Sequence, residues 1–259
     1  MGAVAFGGYP TVDVDGSVIE YRRVDGDPAR PTIVLLHEGL GCVALWRDFP
    51  ERIAAATTCP VFTYSRPGYG GSTPISLPRP LDYMSREAAD GLPRTLRAAG
   101  IDDFILVGHS DGASIALVHA GSAPSGLVSV VVMAPHIFAE QVSIDSIRAA
   151  DDAYRHGELR RRLAKYHGPN VDNAFRGWCD SWLHPDFRAW SIERELDGIV
   201  APVLQIQGRG DEYGTGEQLR RIEQAVSGPV ETLLFDRCGH APQQDQPELT
   251  LEAIGRFCR

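Results

Sequence analysis

Short, continuous β-branched runs alternate with longer amphipathic stretches along this chain, and that alternation limits the fold more than any other feature. Thr32–Leu36, Val61–Tyr64, Phe104–Val107, Val128–Met133, Val203–Gln207 and Glu231–Phe235 are the apolar runs. Runs of that length with apolar residues at successive positions are buried on both faces, as parallel strands are when helices cover them. Leu45–Ala56, Tyr83–Ala99, Asp111–Gly121, Thr215–Val226 and Glu248–Phe257 read as the intervening helices. Pro247 suits the first turn of the last one, Pro124 stops the third, and Pro93 should kink or split the second. Tyr9–Val14 and Val18–Val24 flank Asp15-Gly16 and predict a hairpin. The pattern predicts an α/β protein.

The alternation fails once. Between Met133 and Val203 there are helical patterns and no good strand. Val171, Ala174, Phe175, Trp178 and Trp182 share one helix face, while Ile144, Ile147 and Tyr154, then Leu159, Leu163 and Tyr166, suggest two further helices. A single crossover needs far fewer residues. Residues 136–199 are therefore expected to form a helical cap on a core made of 1–135 and 200–259. The alternative is that these apolar faces only pack on the main core.

Composition excludes several classes. At 259 residues, 43% hydrophobic and 23% charged, the chain suits one large domain with an inserted part. No run approaches the roughly 18–20 apolar residues of a membrane span, so no membrane partner is expected. The first residues lack a basic segment followed by an apolar one, and Phe6 stands where myristoylation wants Ser or Thr. Five scattered cysteines without a CxxC pair suit a reducing cytoplasm better than a disulfide framework. A net charge of -9 argues against nucleic acid. With no HExxH, P-loop or GxGxxG in the right context, neither metal nor cofactor is expected, and the partner should be a small-molecule substrate.

Gly108-His109-Ser110-Asp111-Gly112 follows one apolar run and opens a helical one. That is the setting of a nucleophile elbow, in which a strained turn exposes a serine hydroxyl at a helix N-terminus. An ordinary βα turn with glycines is the plainer reading of the five residues alone. A serine needs a base, and the base an acid to orient it. Asp211 falls just past one strand and His240 just past the next, in the order Ser110, Asp211, His240.

With these residues in place the chain resembles the α/β-hydrolase family along nearly its whole length. His37-Glu38-Gly39-Leu40-Gly41 resembles the family's oxyanion loop, and Ser65-Arg66-Pro67-Gly68-Tyr69-Gly70-Gly71-Ser72 its Asp-Arg-Pro-Gly-x-Gly-x-Ser loop. The resemblance implies a mostly parallel eight-stranded sheet with helices on both faces and a cap after the sixth strand. It implies Ser110 as nucleophile, His240 as base and acid, Asp211 as orienting carboxylate, and the backbone N–H groups of Gly39 and Asp111 as oxyanion donors. Glu38 stands where the family most often has glycine, and Ser65 where it often has aspartate. Ser110 at the elbow speaks against dehalogenase and epoxide hydrolase chemistry, which use aspartate there.

The expected activity is hydrolysis of a carboxylic ester, lactone or thioester on a small, partly apolar substrate. C–C bond hydrolysis of diketone-type substrates and a catalytically silent binding protein are the alternatives. His37 and His109 are expected to bond backbone, and His136 to face the acyl pocket. Trp178, Trp182 and Trp190 are expected to contact substrate. Glu38 and Asp111 bring two carboxylates to the acyl site and should disfavour anionic substrates, unless Glu38 pairs with Arg66 and Asp111 caps its own helix.

Overall fold

The computed structural model describes residues 7–258. The readings on the first six residues, Phe6 among them, lie outside the described residues. The strands are β1 (Thr11–Val14), β2 (Ser17–Val24), β3 (Thr32–Leu36), β4 (Val61–Tyr64), β5 (Phe104–His109), β6 (Leu127–Met133), β7 (Val203–Gly208) and β8 (Val230–Phe235). They form one sheet in the order β1-β2-β4-β3-β5-β6-β7-β8. The β1–β2 hairpin adds to β4 in antiparallel fashion, and every pairing from β4 to β8 is parallel.

Period-two burial explains why the parallel strands read as unbroken apolar runs. Ile33, Leu35, Ile105, Val107, Val131 and Met133 point to one face, with α1 (Phe49–Thr57) and a C-terminal helix packed on it. Val34, Leu36, Leu106, Val130 and Val132 point to the other, under the helix that starts at Asp111. Each face buries its own core, so neither set of alternate positions can be polar.

The Tyr83–Ala99 stretch is split. α2 (Tyr83–Arg86) leads through a π-helical turn, Glu87–Gly91, into α3 (Leu92–Ala99). Pro93 thereby sits in the first turn of α3, where its missing N–H removes no helical hydrogen bond. The Leu45–Ala56 expectation is also divided. A 3-10 turn at Val43–Trp46 ends on Arg47 in the left-handed region, φ 54°, and α1 restarts with Pro50 in its first turn. α4 (Asp111–Gly121) has the expected bounds.

Between β6 and β7 the chain is helical: α5 (Gln141–His156), α6 (Leu159–His167) and α7 (Val171–Trp182), followed by two 3-10 segments. Ile147, Phe175, Trp178 and Trp182 belong to the same apolar cluster as Leu106 and Val132. The insert therefore packs on the core. α8 (Gly216–Ala225), α9 (Pro242–Asp245) and α10 (Pro247–Phe257) complete the chain.

The tightest packing is at the strand–helix turn after β5. A Cβ on Gly112 would overlap the Leu36 carbonyl oxygen, and one on Gly108 would overlap the Gly112 carbonyl. Gly112→Ala should cost about 1–3 kcal/mol through overpacking. Urea unfolding of the variant would check this, and an unchanged midpoint would contradict the packing argument.

Candidate active site

Ser110 adopts φ 53°, ψ −119°. A non-glycine residue there is strained, by an amount on the order of 1–3 kcal/mol. The flanking glycines permit the turn, and the Ser110 N–H donates to the Met133 carbonyl at 2.9 Å, which ties it to β6. The hydroxyl stands at the N-terminus of α4.

His240, past β8, presents Nε2 to Ser110 Oγ at 3.0 Å. Its Nδ1 lies 2.8 Å from Asp211 Oδ1. Asp211 accepts further hydrogen bonds from the Tyr213 and Gly214 N–H groups at 2.8 and 3.2 Å, and from Gln207 Nε2 at 3.0 Å. Burial alone would raise its carboxyl, but the His240 hydrogen bond and charge and the Tyr213 N–H outweigh it, so Asp211 is held below the ordinary carboxylate range. The backbone N–H groups of Gly39 and Asp111 have no acceptor among the described residues. A Cβ at Gly39 would overlap the Trp178 indole, so only glycine lets α7 close over this loop.

A cavity of about 110 Å³ opens at Ser110 and His240. Glu38, Asp111, His136, Trp178 and Trp182, all expected at the site, line it. Ile147, Ser143 and Tyr213 line it too, and none of the three was expected at the site. The Tyr213 ring stands 4.7 Å from that of His240. Only its position two residues after Asp211 pointed to it. Trp190 does not line this cavity: it stacks on Phe187 at 5.1 Å and supports Trp182 from behind. A wider groove of about 320 Å³ along Arg66, Arg79 and Glu87 lies on the other side of Tyr83 and does not contain Ser110.

Two expected contacts are replaced by others. Arg66 does not meet the Glu38 carboxylate; its guanidinium donates to the carbonyls of His37 and Glu38 at 2.5 and 3.2 Å. Glu38 Oε2 instead faces His109 Nδ1 at 3.5 Å. His109 Nε2 donates to the His240 carbonyl at 2.7 Å, and its Nδ1 also meets Gln243 at 3.0 Å. Burial would lower the His109 imidazole, but the hydrogen bond and charge of Glu38 raise it. His37, as expected, is bound to backbone: its Nδ1 meets the Glu38 carbonyl and its Nε2 accepts from the Arg66 N–H. Asp111 does not cap α4. Its Oδ2 takes the Tyr83 hydroxyl, which in turn accepts from Trp182 Nε1 at 3.1 Å.

The comparisons with known proteins agree with this architecture. A profile of the alpha/beta hydrolase family matches residues 33–253. The chain belongs to that family. It is 30% identical over 199 residues, 77% of this chain and 69% of the relative, to a 2-succinyl-6-hydroxy-2,4-cyclohexadiene-1-carboxylate synthase of Enterobacter sp. (strain 638). It is 22% identical over 289 aligned positions, 95% of this chain and 96% of the relative, to a proline iminopeptidase of Heyndrickxia coagulans. Among solved structures, the enol-lactonase of Burkholderia xenovorans LB400 superimposes with a TM-score of 0.73 at 20% identity, covering 96% and 99% of the two chains.

Asp111 carries a stability consequence. Burial raises its carboxyl above the usual range, against the pull of Arg66 and of the Tyr83 hydroxyl. The folded chain thus binds the Asp111 proton more tightly than the unfolded chain does. This contribution is complete below about pH 4, the unfolded value, and is lost as pH rises through the folded one. Asp111→Asn should therefore gain stability relative to wild type on going from about pH 5 to pH 8. Thermal unfolding at the two pH values checks the sign; a relative loss at the higher pH would contradict it.

Proposed function

We propose that this alpha/beta hydrolase is a serine hydrolase working by acyl transfer, with a carboxylic ester of a small, partly apolar acid as substrate. The observation that carries the reading is the continuous Ser110–His240–Asp211 relay, at 3.0 and 2.8 Å, beside two backbone N–H groups without acceptors. Ser110 Oγ attacks the ester carbonyl while its proton passes to His240 Nε2. The oxyanion is received by the N–H groups of Gly39 and Asp111, each such donor typically worth about 2.7–4 kcal/mol of barrier. The intermediate collapses and the departing alkoxide takes the proton from His240. Water then gives a proton to His240 and attacks the acyl-enzyme, which releases the acid and returns the proton to Ser110. Asp211 keeps the imidazole in the tautomer that leaves Nε2 able to accept.

The small cavity supports a modest acyl group over a polymer. Residues 136–199 act as the cap in this reading, with Ile147, Trp178 and Trp182 as its apolar inner wall. No lysine or arginine lines the cavity among the described residues, so a substrate carboxylate would find no basic side chain there. A silent binding protein would have no use for all three members of the relay. Five unpaired, buried cysteines support a reducing compartment such as the cytoplasm.

A panel of neutral esters, thioesters and lactones, with Ser110→Ala as blank, tests the reading. Ser110→Ala and His240→Ala should each lower kcat by a factor on the order of 10⁴–10⁶, and the double variant by little more. Asp211→Asn should lose roughly 10⁴. Near-normal turnover in Ser110→Ala would overturn it.

A further inference from the structure

Asp111 is an expensive residue to place where it is. It is fully buried, directly follows the serine, and lines the cavity. Its Oδ2 is taken by Tyr83, but its Oδ1 has no hydrogen-bond partner among the described residues. A buried carboxyl oxygen left unpaired typically costs 1–3 kcal/mol or more. The oxyanion donor does not require that carboxyl, since other residues at this position would offer the same backbone N–H.

The rest of the cavity wall points the same way. Glu38, a quarter exposed, brings a second carboxylate. Trp178, Trp182 and Tyr213 bring three π-systems. His136 adds no positive charge, because burial and the neighbouring His240 hold its imidazole well below the usual range. His109 answers Glu38, and Arg66, whose charge also reaches Asp111, donates to the His37 and Glu38 carbonyls and does not line the cavity. Two acidic groups and aromatic faces, with no lysine or arginine among the lining residues, form the usual surroundings of an ammonium group.

Resting on the serine-hydrolase reading and naming its substrate class, we propose that the site takes esters of acids with a protonated amine next to the carbonyl, and that Asp111 Oδ1 is the acceptor for that amine. The position follows from the chain: Asp111 is one residue from the nucleophile, so its carboxyl meets the acyl part of the substrate close to the carbonyl carbon. The acyl side chain then lies against Ile147, Trp178 and Trp182. The alcohol part leaves the cavity and is not selected by these groups. Asp111 supplies the direct hydrogen bond, while the Glu38 carboxylate is answered by His109.

The test compares three methyl esters: L-valine, N-acetyl-L-valine and 3-methylbutanoic acid, which is valine without its amine. Acid release is followed by pH-stat titration. The wild-type protein should prefer the valine ester over the other two by roughly 10- to 100-fold in kcat/KM, the worth of one charge-assisted hydrogen bond. In Asp111→Asn the ratio of valine ester to des-amino ester should fall toward one. Equal rates for the three esters in wild type, or a ratio that survives Asp111→Asn, would overturn the proposal while leaving the hydrolase reading intact. A binding arm separates the two ideas. Tryptophan fluorescence of Ser110→Ala is titrated with L-valine methyl ester and with methyl 3-methylbutanoate. Tighter binding of the amine-bearing ester supports the proposal even if wild type hydrolyses neither, in which case it is the hydrolytic reading that fails. Equal binding overturns the proposal.

Discussion

The backbone of Ser110 is the constraint on which the site depends. A serine at φ 53° is unfavourable in isolation, and it is held by packing that leaves no alternative. Gly112 lies against the Leu36 carbonyl of β3, Gly108 lies against Gly112, and the Ser110 N–H reaches Met133 on β6. Three adjacent parallel strands therefore fix one hydroxyl. The His37–Gly41 loop leaves β3 and the turn at Ser110 leaves β5, and these two strands are paired in register from Thr32–Phe104 to Leu36–Gly108. Gly39 and Asp111 follow the ends of these two paired strands, and both line the cavity at Ser110.

Around that point the protein builds a polar frame whose parts hold one another. Asp211 is saturated by His240, Tyr213, Gly214 and Gln207, so its charge is directed and it does not wander. The loop that carries His240 is held from below by His109, which also faces Glu38 and Gln243. The residue between Gly108 and Ser110 thus holds the His240 loop through its backbone carbonyl. A third part of the frame runs from Trp182 through Tyr83 to Asp111 and ties the helical insert to the residue after Ser110. Movement of α7 would be felt at both Trp178 on the oxyanion loop and Trp182 on this chain.

Much of this was legible in the sequence, for definite reasons. Each buried strand shows as an apolar run because both faces of the sheet are covered, and all eight strands lie within a few residues of where the runs put them. Ser110, Asp211 and His240 were legible because each sits just past a strand end, a place where the chain turns and side chains are exposed. The details that were not legible are contacts between distant segments. Nothing local in Glu38 says that it will face His109 rather than Arg66, since the choice is made where the β3 and β5 loops meet. Nothing local in Asp111 says that Tyr83, 28 positions away, will draw its carboxyl off the helix end. The break at Arg47 was missed because amphipathic spacing persists across it, whereas Pro93 announced the split that falls at Glu87–Gly91. Trp190 was placed at the substrate by its residue type, whereas its ring is spent on Phe187 and Trp182.

The claim that everything else rests on is that Ser110 is a nucleophile made reactive by His240. It is tested most directly by treating the protein with a fluorophosphonate and locating the adduct by peptide mass mapping. The account predicts a single adduct, on Ser110, that forms in wild type and fails to form at a comparable rate in His240→Ala. No adduct, or an adduct on Ser110 whose rate is unchanged by His240→Ala, would contradict it.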